Sequence, residues 1–278
     1  MRSKAIRDLV QLSDNDLFVQ ISIGYEQVLK NAIRINRDAE SLRKQKRPNG
    51  CRILSGMAEE EAAKCLILVD AVRCPRNPPK ILTQQLSRFN DHLAKGLYAE
   101  ACCWNPSDFQ EFSSYVDNER REYYLDGPND IDWFFRNRIL SNREETIYVD
   151  YVAGDDGNHF WLTPSENKFL LPETLESLSL AKAFSDAGCA TPKALQVIAD
   201  FWRPIAMKPN FSWMELRDLN LQTLKTLEGK GLVKGQPQTV YSTIIELWPF
   251  PMFSLDLRMI KGNEAELQEI QEKWFPFM

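Results

Sequence analysis

The stretch LSGMAEEEAAKCLILVDAV, residues 54–72, has the apolar spacing of a long amphipathic helix. Apolar residues recur every three or four positions, and Glu60 and Lys64 fall in the same series. Residues at this spacing share one face of a helix. The series is Ile53, Met57, Glu60, Lys64, Ile67 and Ala71. The stretch therefore predicts a helix that carries charged side chains on an otherwise apolar face.

These charges need partners from elsewhere in the chain. Glu60 and Lys64 are four residues apart, a spacing that stabilises an exposed helix by only about 0.2–0.5 kcal/mol. If the pair is buried, breaking it costs about 3–5 kcal/mol, so further contacts must satisfy it. The next predicted helix offers Arg88, His92 and Lys95 on one stripe. We therefore expect the charged residues of the two helices to meet in one polar layer.

Two interpretations of this layer remain open at the level of sequence. His92 is one of only two histidines in the chain. A histidine beside arginine, lysine and glutamate can act as a general acid or base while the cations hold a phosphate. In that interpretation Arg88 and His92 are the catalytic pair. In the simpler one, the layer only fixes the register of two packed helices.

Helical spacing extends over most of the chain, which predicts a mainly all-α protein. A short strand pair is also compatible with the pattern, because residues 148–152 and 241–248 read as extended segments. A helix is expected to resume at Pro164. Further helices are predicted over residues 17–42, 52–72, 81–103, 109–122, 131–147, 175–184, 194–202, 216–227 and 264–274.

Composition excludes several classes of protein. The net charge of −5 is unusual for a protein that coats nucleic acid. The six cysteines and two histidines have none of the paired spacings that bind zinc, and no glycine-rich nucleotide loop is present. The longest apolar run, residues 65–72, is much shorter than the roughly 20 residues that cross a bilayer. We expect a cytoplasmic protein with free thiols, no metal, no cofactor and no membrane contact.

Three segments together resemble one known family. Residues 54–72, residues 88–100 (RFNDHLAKGLYAE) and residues 142–164 (NREETIYVDYVAGDDGNHFWLTP) are similar, in order and spacing, to the signatures of the AbiV family of bacterial abortive-infection proteins. These signatures are a Glu-Glu-x-x-Lys helix, a His-x-x-Lys helix and a Tyr-Val-Asp segment that leads to a proline. The matching residues are Glu60, Glu61, Lys64, His92, Lys95, Tyr148 and Asp150.

The resemblance implies a fold, a role and partners. It covers roughly residues 15–185 and implies a HEPN-like helical bundle over residues 1–160. Residues 161–278 would then form a C-terminal helical region that continues the bundle or makes a small second domain. The family also implies an intracellular bacterial protein, frequent homodimerisation and a toxin-like arrest of translation that stops phage propagation. A phage-encoded activator or a host translation component would be the partner.

The sequence departs from the family's nuclease relatives at one point. HEPN ribonucleases carry an arginine followed by histidine after four to six intervening residues, whereas three residues separate Arg88 from His92. No arginine stands at the usual distance before His159. We therefore expect an effector that binds a phage or host protein. The alternative is a metal-independent endoribonuclease that acts on RNA as a dimer, with Arg88 and His92 as its catalytic residues.

Overall fold

A pair of long helices forms the frame of the protein in the computed structural model. The structure describes residues 5–122, 137–153, 158–164, 174–233, 235, 237–263, 265, 266 and 269. The helices are α1 (Asp14–Lys44), α2 (Pro48–Arg73), α3 (Pro79–Ser87), α4 (His92–Ala101), α5 (Phe109–Glu119), α6 (Arg138–Glu145), α7 (Glu176–Ala187), α8 (Pro192–Trp202), α9 (Trp213–Gly229) and α10 (Gln238–Leu247). The strands are β1 (Asp150–Ala153) and β2 (His159–Leu162). This mainly helical fold confirms the expected class.

The connection between α1 and α2 is only residues 45–47, so the two helices pack as neighbours along most of their length. The Ser13 side chain caps α1 by accepting a hydrogen bond from the Asp16 amide at 3.3 Å. In the turn, Lys46 has a φ of 56°. Pro48 is the first residue of α2, where a missing amide hydrogen costs nothing.

The predicted helix over residues 81–103 is wrong in one respect. It is two helices, α3 and α4, separated by a 3₁₀ turn over Arg88–Asn90. Asp91 has an extended backbone, and its side chain accepts a hydrogen bond from the Ala94 amide at 3.0 Å, which caps α4. Arg88 and His92 therefore do not share one helical stripe.

The strand pair is antiparallel, with Asp150 opposite Leu162 and Ala153 opposite His159. The extended segment predicted over residues 148–152 thus contributes to β1. The second predicted extended segment, residues 241–248, lies almost entirely within α10, so that prediction is wrong. In a run as short as YSTIIELW, the spacing of the apolar residues does not distinguish a strand from a helix. The first part of the predicted 131–147 helix, the helix after Pro164 and most of the 264–274 helix lie outside the described residues.

The helices after residue 174 pack against the first two. α7 and α8 contact both α1 and α2, and the buried apolar residues of all four helices belong to one core. The Tyr25 hydroxyl on α1 donates a hydrogen bond to the Ala181 carbonyl on α7 at 2.8 Å. Trp202, at the end of α8, is among the largest fully buried side chains. The C-terminal helices therefore supply part of the core that surrounds α2.

Candidate functional site

A single carboxylate on α2 gathers three basic side chains from two other helices. The Glu60 Oε2 atom accepts a hydrogen bond from Lys95 Nζ at 2.7 Å and lies 2.8 Å from His92 Nδ1. Its Oε1 atom lies 3.0 Å from the Nε atom of Arg143, on α6. We call Glu60, His92, Lys95 and Arg143 the Glu60 cluster. The sequence correctly placed Glu60, His92 and Lys95 together.

Burial differs across the Glu60 cluster. The Lys95 side chain is 7% exposed and the Glu60 side chain 21%, whereas that of His92 is 48% exposed. Burial by itself raises the pKa of Glu60, but hydrogen bonds and charges from Lys95 and His92 outweigh it and lower that pKa. Glu60 is therefore ionised at neutral pH. Its charge compensates the nearly buried ammonium group of Lys95.

Glu61 and Lys64 form a separate contact beside the Glu60 cluster. Lys64 Nζ lies 2.5 Å from Glu61 Oε2, and the Asn31 side-chain amide donates to Glu61 Oε1 at 3.0 Å. The Lys64 ammonium also lies 5.2 Å from the centre of the Phe89 ring. The expected Glu60–Lys64 pair is thus replaced by a Glu61–Lys64 pair. Its partners come from α1 and from the turn before α4.

Arg88 is directed away from His92, contrary to the expectation of a catalytic pair. Its guanidinium donates to the Gln85 side chain at 2.7 Å and to the carbonyls of Met252 and Leu255 at 2.9 and 2.5 Å. The residue is 4% exposed. His92 instead contacts Glu60 and Lys95. Arg88 therefore anchors the C-terminal segment, and the polar layer expected from the sequence divides into two sites.

Asp70 is the centre of this second, fully buried site, which the sequence analysis missed. Its carboxylate accepts hydrogen bonds from Arg73 Nε at 2.7 Å, from the Tyr98 hydroxyl at 2.5 Å and from the Met252 amide at 2.9 Å. The Gln85 amide donates to the Tyr98 hydroxyl at 2.9 Å. The signal that could have found this site is the presence of Asp70 within the most apolar run of α2.

The Arg73 guanidinium packs against the rings of two tryptophans that also contact each other. Its central carbon lies 4.9 Å from the ring centre of Trp202 and 4.7 Å from that of Trp248. Arg73 also donates to the Pro249 carbonyl at 3.2 Å. An arginine that is 2% exposed is thus satisfied by one carboxylate, one carbonyl and two aromatic faces. This arrangement joins α2 to α8 and to the segment that follows α10.

A cleft of about 650 Å³ opens beside the Glu60 cluster, between α2, α4 and α6. Glu59 and Glu100 face it together with apolar side chains such as Met57 and Ile139. Burial, and then the charge of Glu100, raise the pKa of Glu59 to about 7. The cleft therefore combines apolar walls with carboxylates, one of which is destabilised by its surroundings.

The remaining residues expected at the site lie on or next to the strand pair. Tyr148 is 60% exposed, and the Asp150 side chain accepts a hydrogen bond from the Tyr151 amide at 2.8 Å. Neither is among the described partners of Glu60, whereas Arg143 is. No local feature of the sequence distinguishes Arg143, because its contact with Glu60 arises only when α6 packs against α4.

Two classes of feature are not found in the part of the chain that the structure describes. No group of three or more histidine, cysteine, aspartate or glutamate side chains there is arranged to hold a metal ion. None of the described helices has the length and apolar character needed to span a membrane.

The comparison with protein families identifies the class of this chain. A HEPN-type family model matches residues 20–169, which include α1 to α6 and the strand pair. The matched region is more than half of the 278 residues. More specifically, the model describes AbiV, so the chain belongs to the AbiV family of abortive-infection proteins, as the three sequence segments indicated. No curated protein and no solved structure matches the chain.

Proposed function

We propose that this protein is an antiphage effector that acts in the cytoplasm by binding a phage or host protein and thereby inhibits translation. The observation that carries this proposal is that every basic side chain of the Glu60 cluster contacts the same carboxylate. Lys95, His92 and Arg143 all contact one carboxylate. An RNA-binding site needs cations whose charge is available to phosphates. In this cluster the basic side chains are held by a carboxylate of the protein itself, an arrangement better suited to shaping a surface for a protein partner.

The position of Arg88 supports the same proposal. A ribonuclease of the HEPN type would use an arginine to stabilise the phosphate in the transition state. Arg88 is 4% exposed and donates to two main-chain carbonyls of the C-terminal segment. Moving it to a phosphate beside His92 would leave those carbonyls without a donor in the core. The geometry therefore favours binding over RNA cleavage.

A phage challenge tests the proposal directly. Cells that carry the gene are infected with a diverse set of phages, and phage yield and the incorporation of labelled methionine are followed. We expect both to fall after infection only in cells with the gene. A tagged protein should also recover a stoichiometric phage or host partner from the same cells. Unchanged yield across the set would contradict the proposal.

The second candidate function is a metal-independent ribonuclease that acts as a dimer. His92 favours it, because both of its contacts are made by Nδ1 and its side chain is 48% exposed. The Nε2 atom could then exchange a proton with a substrate hydroxyl. The test incubates the protein with total RNA in a chelator. Cleavage that disappears in His92→Ala and persists in His159→Ala would support a nuclease, and intact RNA would contradict it.

We also propose that the protein forms a homodimer, which HEPN domains often do. Val19 and Ile23 lie one helical turn apart on α1 and are 42% and 50% exposed, whereas most other apolar residues of α1 are buried. Light scattering on the purified protein measures its mass in solution. A dimer that Ile23→Lys converts to a folded monomer would place the interface on α1. A wild-type monomer at all concentrations would contradict the proposal.

A further inference from the structure

We propose that the cleft between α2, α4 and α6, together with the β1–β2 hairpin, is a docking surface for a basic protein segment with apolar anchors. The proposal rests on the proposed function, because it specifies the chemistry of the partner that the effector binds. It follows from three observations on the described residues: the charge of the cleft, the exposed side chains of the hairpin and the continuity of the two.

The cleft has an excess of negative charge. Its lining contains five glutamates and two arginines, a formal excess of three negative charges. Glu60 contacts the basic side chains of its own cluster, whereas Glu59 and Glu100 lie together on the wall of the cleft. A surface of this kind attracts cationic side chains and repels phosphates and acidic peptides.

Glu59 and Glu100 are the carboxylates that would gain most from a partner's cation. Burial of Glu59, and then the charge of Glu100, disfavour ionisation of Glu59. The Glu100 carboxylate has Arg138 at 3.2 Å, but that arginine is shared with Glu119 at 2.8 Å. A lysine or arginine from a bound segment would reduce the repulsion between Glu59 and Glu100.

The hairpin presents large apolar side chains to solvent. Trp161 is 68% exposed, and its ring centre lies 5.0 Å from that of Tyr151 on the opposite strand. Tyr148, Val149 and Phe160 are each about half exposed or more. Exposed apolar side chains grouped on one hairpin are typical of sites of interaction, and aromatic side chains are enriched at interface centres. A short two-stranded sheet of this kind also gains stability when a partner covers it.

The hairpin and the cleft form one continuous surface. Ile147 and Leu162 line the cleft, and Phe160, two residues before Leu162 on β2, lies on the same face of the sheet and is 49% exposed. A segment that places apolar side chains on the hairpin would therefore run into the acidic cleft. Single-stranded nucleic acid could stack on the aromatic rings, but its phosphates would face the glutamates. Charge complementarity thus selects a basic peptide segment.

A pair of designed peptides tests this inference on the full chain. The basic peptide alternates lysine and arginine with leucine and tryptophan, and the acidic peptide has glutamate at every cationic position. Binding of each fluorescein-labelled peptide is measured by anisotropy at low and at physiological salt. We expect the basic peptide to bind, more weakly as salt rises, and the acidic peptide not to bind. Equal binding of the two peptides, or no binding of the basic one, would overturn the inference.

Variants with matched controls locate the binding. Glu59→Gln and Glu100→Gln should each raise the dissociation constant of the basic peptide about twofold to fivefold. Phe160→Ala should raise it about fivefold or more, because Phe160 lies on the face of β2 that continues into the cleft. The controls are Glu228→Gln and Met214→Ala, which change an exposed glutamate and an apolar residue that is 69% exposed, both on α9. Thermal unfolding confirms that each variant is folded. Site variants that behave like the controls would overturn the assignment.

The same proteins separate this inference from the proposed function. If the wild-type protein does not lower phage yield, the proposed function fails, whatever the peptides show. If it does lower the yield while Phe160→Ala and Glu100→Gln leave peptide binding unchanged, only the docking surface fails.

Discussion

The Glu60 carboxylate receives basic side chains from α4 and α6, and the burial of Lys95 depends on it. Lys95 donates to Glu60 at 2.7 Å while only 7% of its side chain is exposed. Without the carboxylate, the ammonium group would remain in a poorly solvated position with His92 and Arg143 nearby. The residue types of this cluster were predictable from the sequence, because charges on an apolar helix face require partners. Which basic side chains contact Glu60 was not predictable, because the contact with Arg143 depends on how α6 packs.

Glu60→Ala should therefore destabilise the protein. We expect a loss of about 1–3 kcal/mol in the free energy of unfolding, because a largely buried ammonium loses its acceptor. Urea denaturation at neutral pH measures the loss, with Glu228→Ala as an exposed control. The effect should also depend on pH. The folded-state pKa of Glu60 is lowered, so its ionisation stabilises the protein above the usual value of 4.5. The difference should shrink as the pH falls below that value.

Glu59→Gln should change the free energy of unfolding in the opposite direction and stabilise the protein. The pKa of Glu59 is raised from 4.5 to about 7, so ionising this residue opposes folding. This cost is absent below pH 4.5, grows as the pH rises towards 7 and is fully present above it. We expect the variant to be more stable than the wild type at pH 8, by at most about 3 kcal/mol. The two should converge at pH 4. A wild-type protein that is equally or more stable at pH 8 would contradict this prediction.

At the scale of the elements, the break between α3 and α4 determines what Arg88 does. The sequence predicted α1 and α2 because their apolar periods are long, although it began the second helix at Arg52 and α2 begins at Pro48. It missed the break because the helical spacing continues through residues 88–91, while the Asp91 side chain caps a new helix. It also missed Asp70 and Arg73, whose partners are far away in the chain. Such long-range hydrogen bonds leave no mark on local periodicity.

Arg88→Ala and His92→Ala should behave very differently. Arg88→Ala removes the donor for two buried carbonyls and for Gln85, so we expect a loss of about 3 kcal/mol or more and faster hydrogen exchange in residues 249–262. His92→Ala changes a half-exposed side chain and should cost much less. Denaturation and exchange mass spectrometry measure both. An Arg88→Ala protein of unchanged stability would show that this residue is not an anchor.

At the scale of the whole molecule, the family region and the rest of the chain share one core. The family model matches residues 20–169, yet the core around α2 includes buried residues of α7 and α8 and of the segment after α10. These residues are Leu180, Ala181, Phe184, Leu195, Ile198, Trp202, Trp248 and Phe250. We therefore propose that residues 161–278 continue the bundle and do not form a separate domain.

A truncated protein of residues 1–169 tests this division. Its loss of α7 and α8 would expose the apolar faces of α1 and α2, and Arg73 would lose both tryptophans that enclose it. We expect the fragment to be aggregated or to lack a cooperative thermal transition, as measured by circular dichroism and gel filtration. As a control, residues 170–278 are added as a separate chain, to measure whether they restore the cooperative transition. A monomeric fragment that unfolds cooperatively would establish an independent domain.

The Asp70 site also sets an order of events during synthesis. The Asp70 carboxylate accepts a hydrogen bond from the Met252 amide, 182 residues later in the chain. A ribosome must therefore translate and release nearly all of the sequence before the centre of this bundle can close. Until then, the Asp70–Arg73 ion pair on α2 lacks the full set of contacts that the tryptophans and the C-terminal main chain make with it. The centre of the bundle thus reaches its finished form only after Met252 has emerged from the ribosome.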